Sequence, residues 1–259
     1  MIVRKQANGE LVLIGQTDHS RLAGQLAAHW GNSDFAVPDP YDSMVRAAAF
    51  HDYGWLRYET SPLLNPKNSE PYPFLELPIG ATQLESYQWA LDWLSSIDPY
   101  AGLIVKMHRT GLWQSRYNTI THPRGYVPTE LSSEIHEFIR RNEKSQEQER
   151  KSWNPGQLWI NYRLMQVWDI LALYFCCGDP YEEHVDPVPA SYSRKDGVTV
   201  TIKPAGREQV SFDPYPFDVR PLSVQLFSKR LPKTSYENVE EFRRAYFGGE
   251  SELCRFELL

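Results

Sequence analysis

The chain has 259 residues, 41% of them hydrophobic and 13% aromatic, which is enough to bury a real core as one large domain or one domain with a small appendage. A formal net charge of −6 argues against non-specific attachment to nucleic acid or to anionic membranes, and no apolar run approaches the roughly 20 residues that cross a bilayer. Three cysteines, Cys176, Cys177 and Cys254, imply no disulfide framework, and the N-terminus lacks the long apolar segment of a signal peptide, so a soluble cytoplasmic protein is expected.

Residues 1–16 read as a β-hairpin, with Ile2-Val3, a turn at Asn8-Gly9 and the run Leu11 to Ile14. Thr17-Asp18-His19-Ser20 follows, with Thr17 or Asp18 available to cap a helix that carries Leu22, Leu26 and Trp30 on one face. His19 then sits in the first turn of that helix. A second helix starts at Asp39-Pro40, a cap followed by proline, and runs through Met44, Val45 and three alanines to His51–Asp52. Gly54 lets the chain turn away. Pro62, Pro66, Pro71, Pro73 and Pro78 forbid a long helix over 56–80, which is expected to be a loop walling the His51–Asp52 region.

Helical patterning resumes at 81–96, and Asp98-Pro99 opens a run to Arg109 that is apolar around most of its circumference and should be buried. His108 lies near its end, and 113–128 is expected to be a loop. The stretch 130–152 is helical and heavily charged in its second half, as a solvated face would be. Asn154-Pro155 caps the last long helix, which runs to Cys177 and places Asp169 among Trp168, Ile170 and Leu171. Beyond Pro180 the period changes to two: Val198, Val200 and Ile202, then Leu222, Val224 and Leu226, then Phe256 and Leu258. The expected organisation is an N-terminal hairpin (1–16), a helical domain (17–180) and a β-rich C-terminal subdomain (187–259). The fold class is mainly α, a helical bundle with a small antiparallel sheet formed by the C-terminal region and the N-terminal hairpin.

Four helices thus each place a donor where polarity is unwelcome: His19, His51–Asp52, His108 and Asp169. Buried ionisable groups are costly unless paired, and a metal is a common partner. Imidazole and carboxylate together suit Mn²⁺, Fe²⁺, Zn²⁺ or Co²⁺, as one ion or two. Each residue also has a purely structural reading. His19 can bond backbone at a helix start, His108 can be a satisfied core histidine, and Asp169 can pair with a buried Arg or Tyr. His29, His122, His136 and His184 sit in surface-like contexts and receive no role. Glu59 is a candidate acid or base, or an outer partner of a ligand, and Trp55 and Tyr58 are candidates to line a substrate pocket.

The order His…His-Asp…Asp resembles the HD-domain superfamily of metal-dependent phosphohydrolases. The stretches Gln16-Thr-Asp-His19, His51-Asp-Tyr-Gly-Trp55 and Trp168-Asp-Ile-Leu171 are similar to those of an uncharacterised HD-like family. The resemblance implies a helical bundle in which His19, His51, Asp52 and Asp169 bind a metal, with His108 as the extra ligand of two-metal members. It further implies hydrolysis of a phosphorylated small molecule, with Asp52 bridging the ions and Lys106 or Arg109 neutralising charge on the phosphate. Catalytic roles are expected for Asp52, Glu59 and Arg109. Two other functions remain open: a di-iron oxygenase on a related helical fold, and a catalytically inert module that binds metal or a partner. Self-association is also open.

Overall fold

The hairpin expected at the N-terminus forms from β1 (Ile2–Lys5) and β2 (Leu11–Ile14), with Gly9 at φ 84° supplying the left-handed turn position. It does not stand apart. β2 continues through β8 (Leu222–Leu231) into a seven-stranded sheet that also contains β5 (Glu183–Pro189), β6 (Gly197–Pro204), β7 (Gln209–Asp213) and β9 (Ser251–Leu258). The spatial order is β1-β2-β8-β9-β7-β6-β5, antiparallel throughout except for the parallel pair β7–β9. A separate two-stranded ribbon joins β3 (Leu64–Asn65) to β4 (Glu70–Pro71) inside the proline-rich segment. The computed structural model describes residues 1–114, 131–193 and 197–259; most of the loop expected over 113–128, with His122, lies outside the described residues.

The expectation of a mainly α bundle with a small antiparallel sheet is corrected here. Of the described residues 48% are helical, and the sheet they form is large, curled and mixed. Alternation in the sequence located the strongest strand faces: Leu222, Val224 and Leu226 are buried while Ser223 and Gln225 are exposed. It could not reveal β5, which contains Pro187 and Pro189 and is broken by a register shift between Val185 and Val188. Nor does alternation carry any sign of a parallel partner, because the pairing of β7 with β9 joins segments separated by β8 and a helix.

Four helices carry the chemistry. They are α1 (Gln16–Ala28), α2 (Tyr41–Phe50), α5 (Pro99–Trp113) and α7 (Pro155–Cys177). Between them lie α3 (Leu56–Glu59), α4 (Ala81–Ile97) and α6 (Ser133–Glu149), and α8 (Val239–Gly248) precedes β9. The caps of α5 and α7 act as the sequence suggests. Asp98 accepts from the backbone N–H of Tyr100 and Ala101 at 3.0 Å each, and Asn154 from Gly156 and Gln157 at 2.9 and 3.1 Å. Helix α1 differs, because its N-cap is Gly15 and no side chain of its own caps it. The sheet curls against α1 and α7. Where β8 outruns β2, Gln25 of α1 takes the place of a strand: its amide accepts from Gln225 N–H and donates to Gln225 C=O, both at 2.8 Å.

Helices α1 and α2 approach closely because Gly24 has no side chain. A Cβ at Gly24 would stand 2.7 Å from the Ala49 Cβ and 2.9 Å from the Ala49 Cα. The close approach draws His19 and His51 together. No helix among the described residues is long and apolar enough to cross a membrane. Gly24→Ala gains about 1 kcal/mol of helix propensity, yet overpacking against backbone costs about 1–3 kcal/mol. The expected net result is a lower urea midpoint; an unchanged or raised midpoint would show that the two helices can part without cost.

Candidate metal centre

His51 is the C-cap of α2, where the last carbonyls of a helix lack intrahelical partners. Its Nδ1–H donates to the Ala48 carbonyl at 2.8 Å, which fixes the tautomer and leaves a lone pair on Nε2. That Nε2 is buried, has no hydrogen-bond partner, and stands 3.3 Å from Oδ1 of Asp169. Two lone pairs at that distance repel unless a proton or a metal ion lies between them. His19, in the first turn of α1, brings its own Nε2 to 2.7 Å from the same oxygen, and its Nδ1 is buried without a partner. His108 of α5 points its Nε2 at the other oxygen of Asp169, 3.9 Å away. Three imidazoles from three elements therefore surround one carboxylate in the middle of α7. One donor atom each from His19, His51 and Asp169 falls within a sphere of 4.8 Å separation.

Burial alone would push the Asp169 carboxyl up and the imidazoles down, but the outcome is mixed. Asp169 is held well below the ordinary carboxylate range, against its burial, by the hydrogen bond from His19 and by its closeness to His51 and His19. Burial lowers His51, yet the nearby Asp52 and Asp169 carboxylates outweigh it and raise its pKa. His108 is desolvated and, despite Asp169, is pushed down to about 3. The carboxylates around His51 thus favour a cation at that nitrogen, whether proton or metal.

Asp52 stands slightly apart. Its Oδ2 is 3.6 Å from His51 Nε2, and its Oδ1 accepts from Arg109 Nη2 at 2.6 Å. The guanidinium lies over Tyr87 at 4.6 Å and near Trp113 at 5.8 Å. Trp55 packs edge-on against Tyr87 and Tyr58 at 5.8 and 6.0 Å, so both expected pocket residues are buried in the aromatic wall behind Arg109.

Two candidates lie elsewhere. Lys106 is two residues before His108, about 200° around the helix, and donates to Glu149 of α6 at 2.6 Å. Glu149 belongs to the charged run expected to be a solvated face, and it stays half-buried while it accepts from Lys106. Glu59 supplies the cap that α1 lacks: Oε1 accepts from Gln16 N–H and from Thr17 N–H at 3.3 Å, and Oε2 from the Thr17 hydroxyl at 2.5 Å. Its buried carboxylate faces the positive end of the helix that carries His19, which is a positioning role.

Sequence reasoning missed Ala48, Tyr87 and Trp113. Ala48 had a signal, since a histidine at a helix C-terminus is placed to bond the carbonyl three residues back. Tyr87 and Trp113 had none.

Fold and site together define an α+β protein with a buried His/Asp cluster of metal-ligand character. The chain belongs to the family described as "Protein of unknown function (DUF3891)", which it matches over residues 1–233. No curated protein and no solved structure matches the chain. The resemblance to the HD-domain superfamily is thereby withdrawn: the family matched is this one and no HD-domain family, and the sheet-bearing fold is not a helical bundle. The likeness rested on the order of a few His and Asp residues, which another architecture brings together as well.

The two shifted histidines act on stability with opposite sign in chelator-treated protein. His108, held down to about 3, contributes stability above its unfolded pKa of about 6.5 and loses it as pH falls towards about 3. His51, held up, contributes below about 6.5 and loses it as pH rises through its folded value. Chemical unfolding across pH should show a steeper acid loss for the wild type than for His108→Gln. Parallel acid limbs would contradict a neutral, buried His108.

Proposed function

We propose that the protein is a metal-dependent hydrolase of phosphoesters, working at the His19, His51, Asp169 cluster with His108 beside it. One observation carries the reading: the buried Nε2 of His51 has no hydrogen-bond partner, is held in its ligating tautomer by Ala48, and points at a carboxylate. A structural histidine in a core would use that nitrogen. The donor set of imidazoles and carboxylate fits a divalent transition ion such as Mn²⁺, Fe²⁺, Zn²⁺ or Co²⁺.

Such an ion supplies two things at neutral pH: a strong oxygen nucleophile from water and polarisation of a phosphoryl oxygen. The protein's own residues do the rest. The Ala48 carbonyl orients His51 through Nδ1, as an outer partner of a ligating imidazole does. Asp52, held by Arg109, is placed at the edge of the cluster to accept a proton or align water. Arg109 favours an oxyanion over neutral substrates, as a phosphoester requires.

The test is phosphate release from a panel of phosphomonoesters and phosphodiesters by stripped protein, before and after Mn²⁺ is returned. Activity is expected to return with the metal and to fall by at least about 100-fold in Asp169→Asn. His51→Ala should lose bound metal while keeping its fold by circular dichroism. No release of phosphate by metal-loaded, folded protein, or oxygen consumption by the iron-loaded form instead, would overturn the hydrolytic reading.

A further inference from the structure

The two carboxylates of the site have different cationic partners. Asp169 faces the three imidazoles, whereas Asp52 gives Oδ1 to the Arg109 guanidinium at 2.6 Å and stands outside the group of donors within reach of one ion. An ion bound through Asp52 Oδ1 would have to displace that guanidinium, and the other oxygen, Oδ2, stands 3.6 Å from His51 Nε2 on the side of the first ion. Displacement would be opposed on two sides: the 2.6 Å ion pair is buried, where a lone carboxylate is costly, and the guanidinium plane rests on Tyr87. Arg109 therefore already supplies Asp52 with a cation beside the His19, His51 and Asp169 donors.

Residual exposure points to the same residue. Side chains of Arg109, Asp169 and Asp52 are 9%, 8% and 6% exposed, while those of His19, His51 and His108 are 1%, 0% and 1%. The guanidinium and the two carboxylates thus keep a slight exposed edge that the imidazoles lack. With a divalent ion on the histidines and the Arg109 guanidinium beside it, the two carboxylates leave one net positive charge at that edge. A phosphoryl group matches it, since two of its oxygens can be held by different cations.

We propose, resting on the metal-dependent reading above, that the centre binds a single divalent ion and that Arg109 stands in for a second one. Ion and guanidinium together clamp one phosphoryl group of the substrate, and Asp52 positions Arg109 instead of ligating metal. The substrate class is a phosphate ester whose terminal phosphoryl spans the two cations.

The experiment is elemental analysis of stripped protein re-dialysed against Mn²⁺, joined to calorimetric titration of the loaded protein with inorganic phosphate. One Mn²⁺ per chain is expected, and Arg109→Lys should keep that ion while binding phosphate about tenfold more weakly or worse. Because Arg109→Lys alters a buried pair, the double variant Asp52→Asn with Arg109→Met serves as a second arm that leaves no lone buried charge. It too should keep one ion and lose phosphate. Two Mn²⁺ in the wild type would overturn the proposal, as would unchanged phosphate affinity in Arg109→Lys. Loss of the ion from the folded double variant would make Asp52 a ligand and overturn it equally. Each of these leaves the metal-dependent reading standing, whereas a folded wild type with no ion removes both.

Discussion

The repulsion built into the contact between His51 and Asp169 is the constraint on which the rest of the site depends. A lone pair on a buried imidazole nitrogen faces a buried carboxylate oxygen at 3.3 Å, with the other ring nitrogen already committed to the Ala48 carbonyl. Desolvated, such a pair is unfavourable by itself, and a cation placed between the two turns it into an attraction. Helix packing maintains the contact. Gly24 allows α1 and α2 to touch, α7 is buried along most of its length, and Glu59 holds the start of α1 from a separate turn of chain. The scaffold holds ionisable groups together where apolar residues would be more stable, a pattern common at functional sites.

The large sheet serves this arrangement from outside. Its curl wraps α1 and α7, and the N-terminal hairpin extends it, so β2 leads into α1 with only Gly15 between. His19 follows a strand that is locked into the sheet, which fixes the first turn of α1 better than an isolated helix end would. Fold and site are coupled here: a shift of β2 would move His19 relative to Asp169, 150 positions away in the chain.

How much of this was legible in the sequence differs from element to element. The caps Asp98-Pro99 and Asn154-Pro155 mark their helices because capping is a local interaction, readable within four residues. His51–Asp52 stood out because an apolar helical run ended in two ionisable groups. The sheet was underestimated because its strands pair across long separations, one of them carries prolines, and one pairing is parallel. Lys106 and Glu59 were placed near the chemistry on proximity in sequence, yet their partners lie on α6 and at the start of α1, contacts that only the tertiary fold reveals. Residue order alone also led to the HD-domain resemblance, which neither the fold nor the family match supports. A set of ligands in a given order constrains chemistry more than it constrains architecture.

X-ray absorption at the metal edge of protein loaded with a single transition ion tests the central claim most directly, with His51→Ala as the comparison. Imidazole scattering from nitrogens at about 2.1 Å, reduced by one ligand in the variant, is the predicted result. A spectrum of hydrated ion without imidazole, unchanged by the loss of His51, would contradict it and leave the His51–Asp169 contact to a proton.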